Sequence, residues 1–436
     1  MESVSQLAHR QSLDDIYLYT WSEVFEPNEK VSDGSFKKYW TFEIKHNQID
    51  SHLRTDLMDI ELELSVVNVD GTSPLITNDK PAIRNAAGAI TTAAVEATDP
   101  TTTLENNMLY TFFKNFRMFL NGELVSDSLD LYHHKAYLYA LLTLSNACKA
   151  SLAASWGFYM DIYKNNESDN RGLMARVQRT SNSRKFKVRG PLFTELFCQS
   201  TPLIPCDLLL KLTRNTDQVM CHNSAKVQLH NVSVIAGFSK LKPEYANSFQ
   251  KTLQESSQPY YSSEVEMASI ELKDNFSKGI FKKLTTGTLP TYVLLAFQKT
   301  STFRGAYEEY SFKYEDFGIS ECYLQNHDKR YPLGGSYTFS PENPDYSYAY
   351  KSIFDASKIT DLNFTLDQYP KGFFILAFEL SSDFNHCSGF RHALEEQQLE
   401  LFLQFHKPVS DVTVIIYMSR EVIYNINALG QVSIEY

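Results

Sequence analysis

Short apolar runs recur along this chain in one order, and that order occurs twice. The unit is clearest in "DIELELSV", residues 59–66, where Ile60, Leu62, Leu64 and Val66 alternate with Glu61, Glu63 and Ser65. Successive side chains of an extended strand point to opposite faces, so a period of two marks a strand with one buried face and one wet face. Runs of similar size follow at "FRMFL" (116–120), "DLLLKLT" (207–213), "VSVIAGF" (232–238), "TYVLLAFQ" (291–298), "GFFILAFEL" (372–380), "LELFLQF" (399–405) and "VTVIIYM" (412–418). Turn-forming "NVDGT", "LNGE", "PLGGS" and "ALGQ" separate many of them. A chain made mostly of strands buries their apolar faces against one another, which means sandwiches or barrels.

Within each half the landmarks come in the same sequence. A strand ends at "FLNG" or "YLQN", and a helix carrying Ala136-Tyr137 or Ala349-Tyr350 follows. Next come a strand after Gly190 or Gly372, a Leu-x-Leu-x-Leu strand (Leu208, Leu210, Leu212; Leu399, Leu401, Leu403), and a Val-rich strand. Helical spacing supports the two helices: Tyr137, Leu141, Leu144 and Cys148 form one stripe, and Tyr346, Tyr350, Ile353 and Phe354 the other. Repetition on this scale predicts duplication of a whole domain, and 436 residues exceed what one core usually organises. The expected division is an arm at 1–30, a first domain at 31–245 and a second at 246–436. The boundary falls in the polar "KLKPEYANSFQKTLQESSQPYYSS", with Pro243 and Pro259.

An antiparallel sandwich of this size with an inserted helix follows the jelly-roll plan. The expected fold is therefore all-β, a double jelly roll: two tandem eight-stranded antiparallel β-sandwiches with short inserted helices. The stretch between Asn68 and Asn107, with "TTAAVEATDPTTTLENN", is long for a loop and is expected to project from the first sandwich.

Composition removes several functions. A net charge of -11 argues against a coat whose affinity comes from neutralising phosphates. Cys148, Cys198, Cys206, Cys221, Cys322 and Cys387 include no C-x-x-C pair and fit reduced, buried thiols, hence synthesis inside a cell. "MESVSQLAHRQSLDD" has no signal-peptide core, and no window approaches the roughly 18 apolar residues that span a bilayer. The product is expected to be unsecreted, with no transmembrane segment. The sequons at Asn166, Asn231, Asn275 and Asn363 read as chance matches on that basis.

Chemistry finds no foothold. His133 and His134 diverge by about 100° on a helix and are poorly placed to share one ion. His386, Cys387, His392 and His406 lack zinc-site spacing. Glu61 and Glu63 lie on the solvated face of their strand, and phosphate-cradling and nucleophile-elbow motifs are missing from the sequence. We expect no enzyme, no catalytic residue, no cofactor and no metal.

The stretch "NNMLYTFFKNFRMFLNGELVSDSLDLYHHKAYLYALLTLSNACKASL" resembles a region of Polinton (Maverick) and adintovirus-like major capsid proteins. There an Asn-Asn pair and an aromatic strand lead into an "LNG-x-L/V-VS" turn and a Tyr-bearing helix. "TGTLPTYVLLAFQKTSTFRGAY", "YPKGFFILAFELSSDF" and "LELFLQFHKPVSDVTVIIYM" resemble the second half of the same family, so that ordered matches cover residues 35–430. "LYHHKAY", with two histidines, departs from the pattern. The resemblance implies a structural capsid protein of the virion, assembled inside the host cell. It implies a homotrimer acting as a pseudo-hexameric capsomer, tiling an icosahedral shell around a double-stranded DNA genome. The implied partners are neighbouring capsomers, a penton or minor capsid protein, and packaged DNA through non-specific contact. The alternative is a jelly-roll carbohydrate- or receptor-binding module; a cupin-type enzyme ranks third, because its histidine set cannot be assembled.

Two segments are candidates for an assembly interface or inner face. In "RGLMARVQRTSNSRKFKVRG", Arg176, Arg179, Arg184, Lys185, Lys187 and Arg189 follow Arg171 with no intervening acid. They suit a solvated basic loop, a subunit interface, or contact with the genome. In "DDIYLYTWSEVFEP", Tyr17, Tyr19, Trp21 and Phe25 suit either an arm that orders on assembly or a segment packed on its own domain.

Overall fold

The computed structural model describes all residues except 1–15, 33–35, 46–47, 49, 77–82, 85–89, 93–99, 164–166, 199–201, 286–287, 333–334, 359–360 and 382–397. His386, Cys387 and His392 lie outside the described residues, as does much of the stretch between Asn68 and Asn107.

The first sandwich is built from β1 (Tyr17–Phe25), β2 (Tyr39–Ile44), β3 (Ser51–Val67), β4 (Phe113–Leu120), β5 (Glu123–Asp127), β6 (Phe186–Pro191), β7 (Leu208–Arg214) and β8 (Lys226–Leu241). Its sheets run β1-β8-β3-β6 and β2-β7-β4-β5, antiparallel throughout. The second sandwich uses β9 (Gln258–Glu271), β10 (Phe276–Lys282), β11 (Tyr292–Lys299), β12 (Ile319–Asn326), β13 (Lys329–Tyr331), β14 (Ile375–Glu379), β15 (Leu399–Val409) and β16 (Val412–Ile426). Its sheets run β9-β16-β11-β14 and β10-β15-β12-β13, the same order strand for strand, with Val432–Glu435 added on β16 and Tyr337–Thr338 on β12. Among the described residues no ladder joins a strand of one sandwich to a strand of the other. The chain is a double jelly roll, and the sequence landmarks fall on equivalent elements of its halves.

Local chemistry accounts for the elements. Ile60, Leu62, Leu64 and Val66 on β3 are at most 1% exposed, while Glu61 and Glu63 lie on the other face, half-buried. Burying each such apolar side chain is worth about 1.5–3 kcal/mol. Asn121 and Gly122 between β4 and β5 both have positive φ, +48° and +91°, as a tight type I′ hairpin requires.

Two local expectations need correction, and the polar boundary stretch adds a helix. The stripe ending at Cys148 is not one helix: α1 (Tyr132–Thr143) stops at Leu144, whose backbone is extended, and Ser145 caps a new short helix, Asn146–Ala150. α1 is buried on nearly every side, so its true pattern is apolar all round. The basic segment is not a loop: α2 (Arg171–Thr180) starts at Asn170, whose side chain accepts from the amides of Gly172 and Leu173, and β6 follows. The polar boundary stretch holds α3 (Pro243–Glu255), with Pro243 in its first turn and Phe249 buried. A further helix, α4 (Ser347–Ser357), occupies in the second half the place α1 has in the first. Residues 17–25, read as part of an arm, form the edge strand β1 on β8.

Candidate functional site

The two sandwiches meet along a seam filled by α1. Tyr137 stacks on Phe312, and His134 lies over Phe303 with Nδ1 3.1 Å from the Tyr314 hydroxyl. Further along, the Tyr424 hydroxyl donates to the Val125 carbonyl (3.2 Å), Ser311 donates to that of Val219 (3.0 Å), and Asn121 Nδ2 donates to that of Gly430 (2.6 Å). One apolar cluster runs through both halves. His133 and His134 are closer than helical divergence suggests, with ring centroids 4.4 Å apart, because both sit in the seam beside Phe312. Burial drives the His133 imidazole down to about 3, with Lys114 adding to the effect, and burial holds His134 well below its ordinary value too. Both are neutral packing groups at neutral pH. Among the described residues no group of three or more His, Cys, Asp or Glu is placed to hold a metal.

Behind the seam lies a charged interior. Arg176, fully buried, donates from Nη1 to Asp161 Oδ1 (2.8 Å) and from Nε to the Leu104 carbonyl (3.0 Å). This overturns its expected place at an assembly surface or inner face: a side chain with no exposure cannot touch a neighbour. Beside it His222 is held between Glu105 (3.2 Å) and Glu167 (3.0 Å), with its ring stacked on Tyr310 of the second sandwich. Desolvation opposes a charge on His222, but hydrogen bonds and charge from Glu105 and then Glu167 outweigh it, so the imidazole is held above its ordinary value. His222 is 117 positions from Glu105 in the chain, so no local motif could have revealed this pairing.

The other basic residues divide between strapping and surface. Arg179 donates to the carbonyls of Ala154, Ser155 and Lys187, tying α2 to β6. Arg184 donates to the carbonyls of Gln178 and Arg179, satisfying acceptors at the C-terminal end of α2. Lys187 pairs with Glu61 (2.7 Å) and Arg189 with Asp59 (2.8 Å) across the β3–β6 ladder. Arg184, Lys185, Lys187 and Arg189 are exposed, and Arg179 is half-buried. The acids of β3 thus neutralise part of the basic face within the chain.

The aromatic segment also divides. Tyr17 is buried, its hydroxyl 2.9 Å from His52 Nδ1. Trp21 stacks on Phe238 and donates to Glu23, and Phe25 packs at the same phenyl ring. Tyr19 remains 52% exposed, with Leu18 at 57% and Val24 at 63%. Val24 pairs with Ile235, and Leu57, itself exposed, lies against Gly237, one pleat along the same outer sheet face. Leu18, Val24 and Leu57 were not singled out from the sequence. The available signal was that "IYLYTWSEVF" is apolar at both parities, so that one sandwich cannot bury both of its faces.

No family model and no curated protein sequence matches this chain. Solved structures do. The chain is similar to a protein of the Sputnik virophage (TM-score 0.63, 10% identity, 96% of this chain and 89% of that chain). It is similar to the Faustovirus major capsid protein (TM-score 0.56, 7% identity, 93% and 90%). A third likeness is to the mavirus major capsid protein (TM-score 0.50, 9% identity, 95% and 90%). These neighbours are double jelly-roll viral capsid proteins, and at such identities the likeness is one of fold. Among the described residues no helix is long and apolar enough to cross a membrane.

Proposed function

We propose that this chain is the major capsid protein of an icosahedral double-stranded DNA virus or virus-like element of the Polinton (Maverick) or adintovirus-like kind, working in the virion as a homotrimer. The observation that carries this is the repetition of one eight-stranded order twice in a single chain, the two copies locked by a shared seam. Three such chains side by side present six similar sandwiches, giving a threefold object a nearly hexagonal outline. One type of contact then serves between neighbours at many lattice positions. The likeness to the Faustovirus and mavirus major capsid proteins over nine-tenths of the chain supports the same reading. No chemistry is assigned to it; its work is self-association.

We divide the chain at α3, taking 31–245 and 246–436 as the two domains, with residues 1–30 supplying β1. The outer face of β1 and the exposed Arg184, Lys185, Lys187 and Arg189 are the proposed contact surfaces. Their partners are neighbouring capsomers, a minor or penton protein, or packaged DNA. Light scattering behind size exclusion, followed by electron microscopy of the same fraction, tests this. Trimers near three times 50.0 kDa and hexagonal capsomers are expected. A stable monomer that binds a glycan saturably would replace it with the carbohydrate-binding alternative.

A further inference from the structure

At one end of the seam three groups from opposite halves meet. Lys149 belongs to the short helix Asn146–Ala150 of the first half, and Asp361 and Asn363 to the segment after α4. Lys149 is only 5% exposed. Its Nζ donates to the Leu141 carbonyl at 2.6 Å and approaches Asn363 Oδ1 at 3.5 Å. The other end of that amide, Asn363 Nδ2, is buried without a hydrogen-bond partner. The Asn146 amide donates to Asp361 Oδ2 at 3.0 Å, and the charge of that carboxylate acts on the Lys149 amine.

This arrangement is poor as a resting state. It buries an amine that must shed water to sit there, and it leaves an amide NH2 with nothing to donate to. We propose that Lys149 and Asn363 join in an intramolecular isopeptide bond that ties the first sandwich covalently to the second.

The step balances without an oxidant, a reductant or any co-reactant. The lone pair of the neutral Lys149 Nζ attacks Asn363 Cγ, and the carbonyl π pair moves onto Oδ1. A proton leaves Nζ and is delivered to Nδ2. The C=O re-forms and Nδ2 departs as ammonia. One N–C bond is made, one is broken, and both buried liabilities disappear together. The new amide keeps a single N–H, and the Leu141 carbonyl is already in place to accept it.

Two features favour the reaction. Confinement of nucleophile and electrophile in one packed seam replaces a bimolecular encounter with a unimolecular one. Burial also lowers the Lys149 amine to about 8, against the opposing charges of Asp361 and then Cys148, so an appreciable neutral fraction exists near neutral pH.

Intact-mass spectrometry of the purified full-length chain tests the proposal. After incubation at pH values on either side of about 8, the expected mass is that of the sequence less one ammonia, forming faster on the alkaline side. Trypsin should then release a branched peptide joining the segments that contain Lys149 and Asn363. Lys149→Arg should restore the full mass. A wild-type chain that keeps its full mass throughout overturns the proposal, and needs no variant to fold. Loss of ammonia without a branched peptide overturns it as well, because that outcome marks cyclisation of Asn363 on its own backbone.

Discussion

Tyr137 of the first sandwich lies flat on Phe312 of the second, with ring centroids 4.2 Å apart and 8° between the planes. No strand ladder crosses between the halves among the described residues, so side-chain contacts of this kind hold them in register. Phe312→Ala should cost about 3–5 kcal/mol, the usual range for deleting a buried phenyl. The wild type should unfold in urea in one transition, and the variant in two as each core unfolds alone. Phe312→Leu, which keeps most of the volume, should retain one transition. A truncated variant that still unfolds in one step, with its midpoint unmoved, would show that the seam does not couple the sandwiches.

The Asp161–Arg176 pair makes a second prediction. Both side chains are at most 2% exposed, so removing Asp161 leaves the buried Arg176 without its ion pair, faced only by the charge of Glu105. Asp161→Ala should destabilise by about 3–5 kcal/mol, while an apolar pair of similar volume, such as Asp161→Leu with Arg176→Met, should recover much of the loss. The apolar double variant must also replace the bond from Arg176 to the Leu104 carbonyl, so recovery should be incomplete. Equal stability of the single variant and the wild type, by denaturant titration, would refute the estimate.

Stability should pass through a maximum near pH 6.5, because the histidines pull in opposite directions. His133 and His134 are buried neutral with lowered pKa values, so they bind fewer protons folded than unfolded. Their contribution is complete above about 6.5 and drains away as the pH falls below it, for His133 toward about 3. His222, faced by Glu105, Glu167 and Tyr310, has a raised pKa, so its contribution is complete below 6.5 and is lost as the pH rises through the folded value. Thermal unfolding across this range should show both limbs. His222→Gln should flatten the alkaline limb alone, and an unchanged alkaline limb in that variant would exclude His222 as its source.

Strand periodicity carried most of the fold because burial acts on alternate residues. Ile60, Leu62 and Leu64, like Leu208, Leu210 and Leu212, had no other face to hide. Duplication was legible for the same reason, since the landmarks keep their order when their sequences diverge. What stayed hidden depends on contacts between distant positions. α1 shows no simple stripe, because a helix buried between two sandwiches is apolar all round. Arg176 looked like surface charge until Asp161, 15 residues earlier, proved to be its buried partner. Val24 and Leu57 become one patch only when β1 and β3 flank β8.

That patch supports the last prediction, which separates assembly from folding. Val24 is 63% exposed and pairs with Ile235, so its side chain contributes to the outer face without filling the core. Replacing it by Lys should change monomer stability by no more than about 0.5 kcal/mol, as for most surface substitutions. If the outer face of β1 is covered by a neighbouring copy, the same change places a charge in an apolar contact, where an unpaired one costs several kcal/mol. Across the repeated contacts of a shell that penalty multiplies. Val24→Lys should therefore leave the unfolding midpoint in place while shells, or trimers, disappear from electron micrographs. Lys187→Glu is the informative comparison. It sets a like charge beside Glu61 and breaks a solvent-screened, exposed pair of little weight, so the fold should tolerate it. Loss of assembly in Val24→Lys but not in Lys187→Glu would place the contact on the apolar face of β1, and the reverse would move it to the basic face. Complete shells from both variants would remove both surfaces from the assembly.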